Sequence, residues 1–166
     1  MVCIDPTSLI YDAETDVERP YAVYVTATHL AEVEVDMEKG NVREIRIVAA
    51  HDVGWAVYPL GLKGQIDGAV AMGVGLALKE EYIPGETIGF KQYRMPTARD
   101  VPEVVMLLVE TGDPSAGLGA KGVAECATVA VAPAIINAVA DAIGTHPTAL
   151  PVTPARLMSL IGRAAG

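Results

Sequence analysis

One segment constrains this fold more than any other: GLGAKGVAECATVAVAPAIINAVADAIG, residues 117–144. Three glycines fall within its first six residues, and after Glu125 no charged side chain follows until Asp141. A helix that only packs can begin at any capping residue, so the glycines indicate a turn whose backbone comes close to another group. The segment predicts a glycine turn that brings one carboxylate to the start of an apolar helical stretch. Pro133 is expected to divide this stretch into two helices, and Gly144 to end it.

Two alternating segments predict a β-hairpin. Residues 22–36 alternate apolar and polar side chains, and residues 42–52 do so again. The connection, MEKGN, is typical of a turn in which Gly40 takes a positive φ. The apolar positions of the first segment are Leu30, Val33 and Val35. The charged side chains of both segments are expected on a solvated face: Glu32, Glu34, Arg43, Glu44 and Arg46.

A helix that contains several glycines is predicted next. Pro59 is typical of a first helical position, and apolar side chains recur at helical spacing from Ile66 to Leu78. Each glycine inside a helix costs roughly 1 kcal/mol relative to alanine, which indicates a close approach of the backbone to something else. Spacing alone favours tight packing over a sheet, and the alternative is a backbone that lies against a ligand. The glycines are Gly64, Gly68, Gly73 and Gly75.

The order of these elements predicts an α+β fold. Residues 103–111 form a short apolar run typical of a buried strand, and Thr153 with Pro154 predicts the N-cap and first residue of a last helix. The order β–β–α–β–α–α predicts a small mixed or antiparallel sheet with helices packed on one face. We expect residues 1–21 to form an N-terminal arm and residues 22–166 to form one domain.

Composition limits the classes of partner. The chain of 166 residues has a net charge of −9 and no basic run, which argues against a nucleic-acid surface. It shows no signal-peptide pattern and no apolar run of the roughly 18 residues that a membrane span needs. Cys3 and Cys126 fit a reducing compartment, so we expect a soluble, cytoplasmic protein. No metal ligand is predicted, because the histidines lack ligand spacing: His29, His51 and His146.

The residues alone leave two roles open for the glycine turn. A helix N-terminus presents unpaired N–H groups and a partial positive charge, which suit an electron-rich ligand. Glu125 can complement that helix end as a cap, which is the simpler interpretation, or act as a general base beside a cofactor. The pattern is neither a dinucleotide-binding fingerprint nor a Walker loop, because the flanking residues that those motifs need are missing.

Four motifs in order resemble a known family. They are AHDVGWAVYPLGLKGQIDGAVAMGVGLALKEEY, YRMPTARDVPEV, GAKGVAE, and APAIINAVADAIG followed by LPVTPARL. Together they are similar to the molybdenum-cofactor-binding subunit of the xanthine dehydrogenase/aldehyde oxidase family, and only to its C-terminal part. The resemblance implies that this chain is one piece of a larger molybdopterin-binding subunit.

The resemblance also implies roles for particular residues. Glu125 matches the catalytic glutamate, the base that accepts the proton of a hydroxyl whose oxygen attacks an electron-poor carbon of the substrate. Gln65 matches a glutamine that contacts the pterin, and Gly64 and Gly68 lie beside it where backbone must come near. The loop that lays its backbone against the molybdenum centre is matched by Ala120, Lys121, Gly122 and Val123. Three residues depart from the family pattern: Trp55, Tyr58 and Ala124.

The function implied is that of a molybdenum-dependent oxidoreductase, which uses water to hydroxylate a purine, another N-heterocycle or an aldehyde. Its cofactor is expected to be molybdenum–molybdopterin shared with the rest of the subunit, with iron–sulfur clusters and FAD on partner subunits. The expected partners are the remainder of the molybdenum subunit, the iron–sulfur and flavin subunits and a small-molecule substrate, in an oligomer. The alternative is a non-catalytic structural or interaction module that keeps the fold without binding cofactor by itself.

Overall fold

The computed structural model describes residues 23–114 and 116–164. The predicted arm, residues 1–21, lies outside this range. In chain order the elements are β1 (Ala27–Val35), β2 (Val42–Asp52), α1 (Pro59–Leu78), α2 (Phe90–Tyr93), β3 (Glu103–Val109), a short 3-10 helix (Gly117–Gly119), α3 (Cys126–Val129), α4 (Val131–Ile143) and α5 (Pro154–Ala164).

The strands form one mixed sheet in the order β1-β2-β3. Strands β1 and β2 are the predicted antiparallel hairpin, and β3 pairs with β2 in parallel. Gly40 closes the hairpin turn with φ +70°, and a Cβ there would lie 2.5 Å from the carbonyl oxygen of Pro154, so a larger residue does not fit. The predicted α+β class with a small mixed sheet is confirmed.

The buried face of β1 is confirmed only in part. Val33 and Val35 pack against the main core, as expected. Leu30 lies on the opposite face and is 59% exposed, so its predicted burial was wrong. Alternation places Leu30 out of phase with the valines, because inward positions in β1 are odd-numbered.

A β-bulge explains a second error in the hairpin. Glu32 pairs with Arg46 and Val33 pairs with Glu44, so Ile45 is an extra residue on β2. The bulge shifts the alternation by one residue and turns Glu44 toward the helices. The sequence carries a signal for this, since the apolar residues Val42 and Ile45 are three positions apart rather than two.

Glu44 is therefore not part of the solvated face. Its Oε1 is buried and has no hydrogen-bond partner within the described part of the chain, and burial raises the pKa of its carboxyl. The other four charged side chains are exposed, as predicted, and pair across the strands as Arg43 with Glu34 and Arg46 with Glu32. Exposed pairs of this kind contribute little to stability.

The core lies between the sheet and helices α1 and α4, which pack on its one face and on each other. The main core joins Ile47 of β2 to Val74 of α1 and Ile135 of α4. A second cluster lies beside it, where Ala49 of β2 and Ile66 of α1 meet residues of the glycine turn and α3. Helix α5 begins at Pro154 after Thr153, as predicted.

The apolar stretch after Glu125 forms two helices, but Pro133 does not divide them. The break lies at Ala130, and Pro133 is the third residue of α4. A proline in the first turn loses no intrahelical hydrogen bond, because the N–H groups there have no partner in the helix. Gly144 ends α4 with φ +70°, as expected.

The same stretch corrects the expectation about apolar runs. Cys126–Ile143 spans 18 residues with a mean hydropathy of 1.8, which by length and composition is enough to cross a membrane. In this fold the apolar character has another explanation. Val131, Ile135 and Val139 of α4 are fully buried in the main core against the sheet and α1.

Candidate functional site

The glycine turn is attached to the chain that leaves β2. The Lys121 N–H donates to the Val53 carbonyl at 2.8 Å, and the Trp55 N–H donates to the Gly119 carbonyl at 2.9 Å. A Cβ on Gly54 would lie 2.1 Å from the Gly119 oxygen, and Gly54 has φ +66°. The two backbone segments lie side by side, as in a short strand pair. Because they are so close, only glycine fits between these two hydrogen bonds.

An ion pair fixes the turn to the end of the sheet. Lys121 Nζ lies 2.6 Å from Asp52 Oδ2, and the two side chains are 11% and 13% exposed. Asp52 Oδ1 also accepts hydrogen bonds from the Thr111 hydroxyl at 2.8 Å and the Gly54 N–H at 3.0 Å. The hydrogen bond from Lys121, followed by that from Gly54, lowers the pKa of Asp52 to about 2. The Lys121 side chain and its backbone N–H thus both hold the loop at the end of β2.

Sequence reasoning did not select Asp52. Its signal is an aspartate that directly follows an alternating strand and precedes a glycine by two residues, which is typical of a side chain that binds its own turn. The partner of that aspartate could not be found in this way, because Lys121 is 69 residues further along the chain.

Glu125 ends the turn as an exposed residue with free carboxylate oxygens. It precedes α3 in the N-cap position, with φ −76° and ψ −41°, but its side chain makes no capping hydrogen bond. Within residues 23–114 and 116–164 it has no ion-pair or side-chain hydrogen-bond partner. Helix α3 has only four residues, so its dipole offers little to a carboxylate. The cap interpretation therefore lacks the contact it requires, and the carboxylate is available to an external group.

The N-terminal half of α1 has an exposed surface. Gln65 is exposed, and Gly64 and Gly68 are exposed on either side of it. A Cβ at Gly64 or Gly68 would meet nothing within 4 Å, and the same is true of Gly122 in the turn. Nothing in the described part of the chain requires glycine at these three positions.

The second cluster brings this helix surface and the turn together. Ile66 and Ala69 of α1 pack with Val123 and Ala127, so the residues beside them in α1 lie next to the turn. A groove of about 310 Å³ between the two is lined by nine residues. They are Val53, Trp55, Val57, Tyr58, Gly61, Leu62, Gln65, Ala120 and Lys121.

The predicted site residues thus fall into three groups. Gln65, Ala120 and Lys121 line one groove, while Gly64, Gly68, Gly122 and Glu125 are exposed near it. The side chain of Val123 is different, since it is 6% exposed and packs into the second cluster. Only its backbone can contact a ligand.

Histidines take no part in this site. His29 and His51 lie on the inner face of the hairpin with their Nε2 atoms 2.8 Å apart, and His51 is fully buried. Burial lowers the pKa of both imidazoles, so neutral rings are favoured. In the described ranges no three side chains of His, Cys, Asp or Glu converge on a point where they could hold a metal ion.

Comparison with known sequences finds one family. A family model described as the molybdopterin cofactor-binding domain matches residues 5–102, which is more than half of the chain and ends before the glycine turn. Over 144 residues the chain is 35% identical to the gamma subunit of a 6-hydroxypseudooxynicotine dehydrogenase complex of Paenarthrobacter nicotinovorans. Over 129 residues it is 38% identical to a xanthine dehydrogenase molybdenum-binding subunit of Escherichia coli. These alignments cover 82% and 74% of this chain.

Comparison of structures gives the same result. An aldehyde oxidoreductase from Desulfovibrio gigas superposes with a TM-score of 0.85 and 29% identity, over 92% of this chain and 17% of that one. The two sequence relatives are covered over 18% and 17% of their own lengths. This chain therefore spans about a fifth of the length of the proteins it matches.

Proposed function

The chain belongs to the molybdopterin cofactor-binding domain family of the xanthine dehydrogenases and aldehyde oxidoreductases, and from this we propose that it supplies the general base and one wall of the cofactor site in a molybdenum hydroxylase. One observation carries the proposal. Glu125 is an exposed carboxylate without a partner in the described part of the chain, at the end of a loop that two backbone hydrogen bonds and a buried ion pair hold in place.

A general base must be accessible, and it must be held in one place relative to its substrate. The attachment of the loop to β2 through Lys121 meets the second condition. The exposure of Glu125 meets the first. In the proposed reaction its carboxylate takes up the proton of the attacking hydroxyl and releases it to solvent afterwards.

The residues beside the loop fit a flat cofactor. Gly64, Gly68 and Gly122 leave open surface where a Cβ would otherwise project, so a ring system can approach the backbone closely. The exposed amide of Gln65 can donate and accept hydrogen bonds at the edge of such a ring. A bound molybdenum–molybdopterin group would supply the two-electron oxidation, which no side chain of this chain can carry out. We propose Gln65, Gly64, Gly68 and the backbone of residues 120–123 as its contacts.

Glu125→Gln tests the base in the enzyme assembled with the rest of the subunit. The amide keeps the shape of the side chain but cannot accept the proton, so turnover should fall by about 10²–10⁴-fold while molybdenum content stays unchanged. Glu38→Gln, in the exposed hairpin turn, makes the same chemical change elsewhere and should leave turnover at the level of the parent. Turnover within a few-fold of the parent for Glu125→Gln, with cofactor present, would remove the catalytic assignment.

The alternative function is a structural module that binds no cofactor by itself. Large exposed side chains favour a contact with further protein: Leu60, Ile88, Phe90, Leu118 and Val129 are each at least 70% exposed.

We propose that the remainder of the subunit covers them and contributes the other side of the cofactor site. The chain alone should then associate with other chains and bind no stoichiometric molybdenum. A monodisperse monomer, or near-unit molybdenum in the purified chain, contradicts this arrangement.

For the substrate we propose a purine or another N-heterocycle. The xanthine dehydrogenase subunit is 38% identical over 129 residues, against 32% over 147 residues for an aldehyde oxidoreductase molybdenum-binding subunit of Escherichia coli. The native complex should be assayed with xanthine, nicotinate-like heterocycles and simple aldehydes. Activity on aldehydes alone would overturn this choice and leave the role of Glu125 untouched.

We propose that iron–sulfur and flavin groups lie on partner subunits.

A further inference from the structure

We propose that Trp55 is a positioning residue, which holds the loop from Gly117 to Glu125 against the end of β2 and thereby fixes the place of the carboxylate. The inference deepens the proposed function and rests on it for its catalytic consequence. Trp55 follows β2 by three residues. Its backbone N–H donates to the Gly119 carbonyl at 2.9 Å, a bond that any side chain would keep, so the positioning role is assigned to the indole ring.

The indole ring packs directly on Gly119, inside the loop, and on Gly112, which precedes the loop. A Cβ at Gly119 would lie 2.3 Å from Trp55 Cδ1, and a Cβ at Gly112 would lie 2.7 Å from Trp55 Nε1. Both glycines have positive φ, +68° and +63°. The ring thus lies against bare backbone at Gly112 and at Gly119, and no larger residue fits at either position.

The start of the loop has few other contacts of its own. A Cβ at Gly117 or Gly122 would meet nothing within 4 Å, and the Leu118 side chain is 79% exposed. The Asp52–Lys121 ion pair holds the middle of the loop and Val123 packs into the second cluster, while Trp55 holds the start of the loop. Trp55 also lines the groove that Gln65 and Ala120 share. A shift of the ring would therefore move the groove wall and the loop together.

Trp55 is itself 54% exposed, which separates this role from a contribution to the core. It belongs to neither buried cluster. Truncating it should loosen the loop far more than it lowers the stability of the whole domain, because locally held segments open independently of the core.

Amide hydrogen exchange in the complete chain measures this directly. In Trp55→Ala the Lys121 amide, which donates to Val53, should exchange roughly tenfold faster or more. The Val152 amide, which donates to Ala77 at 2.7 Å in the main core, is the internal control and should not change. Trp55→Phe keeps a flat ring on the two glycines and should restore most of the protection. Unchanged exchange at Lys121, or an equal rise at both amides, would overturn the proposal.

A double-mutant cycle tests the contact with the ring itself. Gly112→Ala places a methyl group against the indole and should speed exchange at Lys121 in the parent chain. In the Trp55→Ala background the methyl meets no ring, so the additional effect should be smaller, although the positive φ remains strained. Equal effects in both backgrounds would show that the indole does not hold the loop.

Turnover in the assembled enzyme connects the loop to catalysis. Trp55→Ala should lower kcat roughly ten- to hundredfold with little change in KM, since a misplaced base slows the reaction after substrate has bound. Trp55→Phe should recover most of this loss. If Glu125 is not the base, exchange at Lys121 will still respond while kcat does not, and the proposed function fails alone. If exchange does not respond, the positioning role fails whatever Glu125 does.

Discussion

In the C-terminal half of α1, a Cβ at Gly73 would lie 2.3 Å from the Val131 Cβ, and one at Gly75 would lie 2.5 Å from Glu80 Oε1. In the N-terminal half, a Cβ at Gly64 or Gly68 would meet nothing within 4 Å. The same residue type therefore serves two purposes in one helix. The packed glycines, Gly73 and Gly75, let α4 and the loop that follows α1 approach this helix. The open glycines, Gly64 and Gly68, are not required by any described part of the chain.

We propose that this difference marks the side of α1 that faces the cofactor. Each helical glycine costs roughly 1 kcal/mol relative to alanine, and close packing offsets that cost in the C-terminal half. No such packing offsets it at Gly64 and Gly68, which are exposed on α1 near Gln65. The two interpretations that spacing left open, tight packing and a ligand surface, are each supported for a different half of the helix.

Acidification is expected to have the largest effect, and it acts on the packed side. Burial, and then the neighbouring His51, lower the pKa of His29 from 6.5 to about 4, and burial lowers that of His51. The histidines of the unfolded chain therefore bind more protons than those of the folded chain below pH 6.5, so their contribution to stability is full above that pH and falls as the pH drops toward 4. The raised pKa of Glu44 acts in the opposite direction and offsets part of this loss. Chemical denaturation at pH 7.5, 6 and 4.5 should give steadily lower midpoints.

The loop should behave differently in the same window. The pKa of Asp52 is about 2, so its carboxylate stays ionised and paired with Lys121 throughout. In His29→Gln, which removes one titrating ring, the dependence on pH should be shallower. A midpoint that is constant from pH 7.5 to 4.5 in the parent chain is incompatible with a buried neutral histidine pair.

Gly73→Ala is expected to have the next largest effect. The added methyl group would overlap the Val131 side chain, and overpacking of this kind costs about 1–3 kcal/mol in free energy of unfolding, of which helix propensity returns up to about 1. The measurement is denaturant unfolding of the variant and the parent. Gly162→Ala in α5, where a Cβ meets nothing within 4 Å, is the matched control and should not destabilise. No loss of stability in Gly73→Ala would mean that α1 and α4 are not closely packed there.

Local sequence features predicted the elements well. The hairpin with Gly40, the glycine helix from Pro59, the strand near residue 103 and the cap at Thr153 follow from patterns only a few residues long. The burial expected of that strand was wrong, because β3 lies at the edge of the sheet and its Leu107 and Val109 are 49% and 48% exposed. The bulge at Ile45 did not follow, although the irregular spacing of apolar residues there marks it. The one extra residue in β2 places Glu44 on the inner face of the sheet instead of the solvated face.

The contacts that build the site could not be predicted from spacing. Lys121 pairs with Asp52 across 69 residues, and the indole of Trp55 lies on Gly112 and Gly119, which are more than fifty residues away. Which glycines face a helix and which face open space is also decided by tertiary packing. Glu125 and Gln65 were selected because they match family motifs. Their residue types alone left a simpler helix-cap interpretation for Glu125, which its missing capping contact does not support.

Gly64→Ala and Gly68→Ala are expected to have small effects of the opposite sign. The methyl group meets no atom of this chain and reduces the freedom of the unfolded state, so each variant should gain about 0.4–1 kcal/mol of unfolding free energy. Denaturant unfolding of the two variants beside Gly73→Ala checks this. Destabilisation by either open-face variant would show that this surface of α1 is packed after all.

The molybdenum content of the assembled enzyme that carries Gly68→Ala tests the central claim most directly. If the open half of α1 lies against the cofactor, the methyl group should reduce molybdenum per enzyme several-fold, although the same change does not destabilise the chain itself. Gly162→Ala, with an equally open glycine in α5, should keep the full molybdenum content. Full molybdenum and full turnover in Gly68→Ala would contradict the account, because the open glycines would then have no ligand to face.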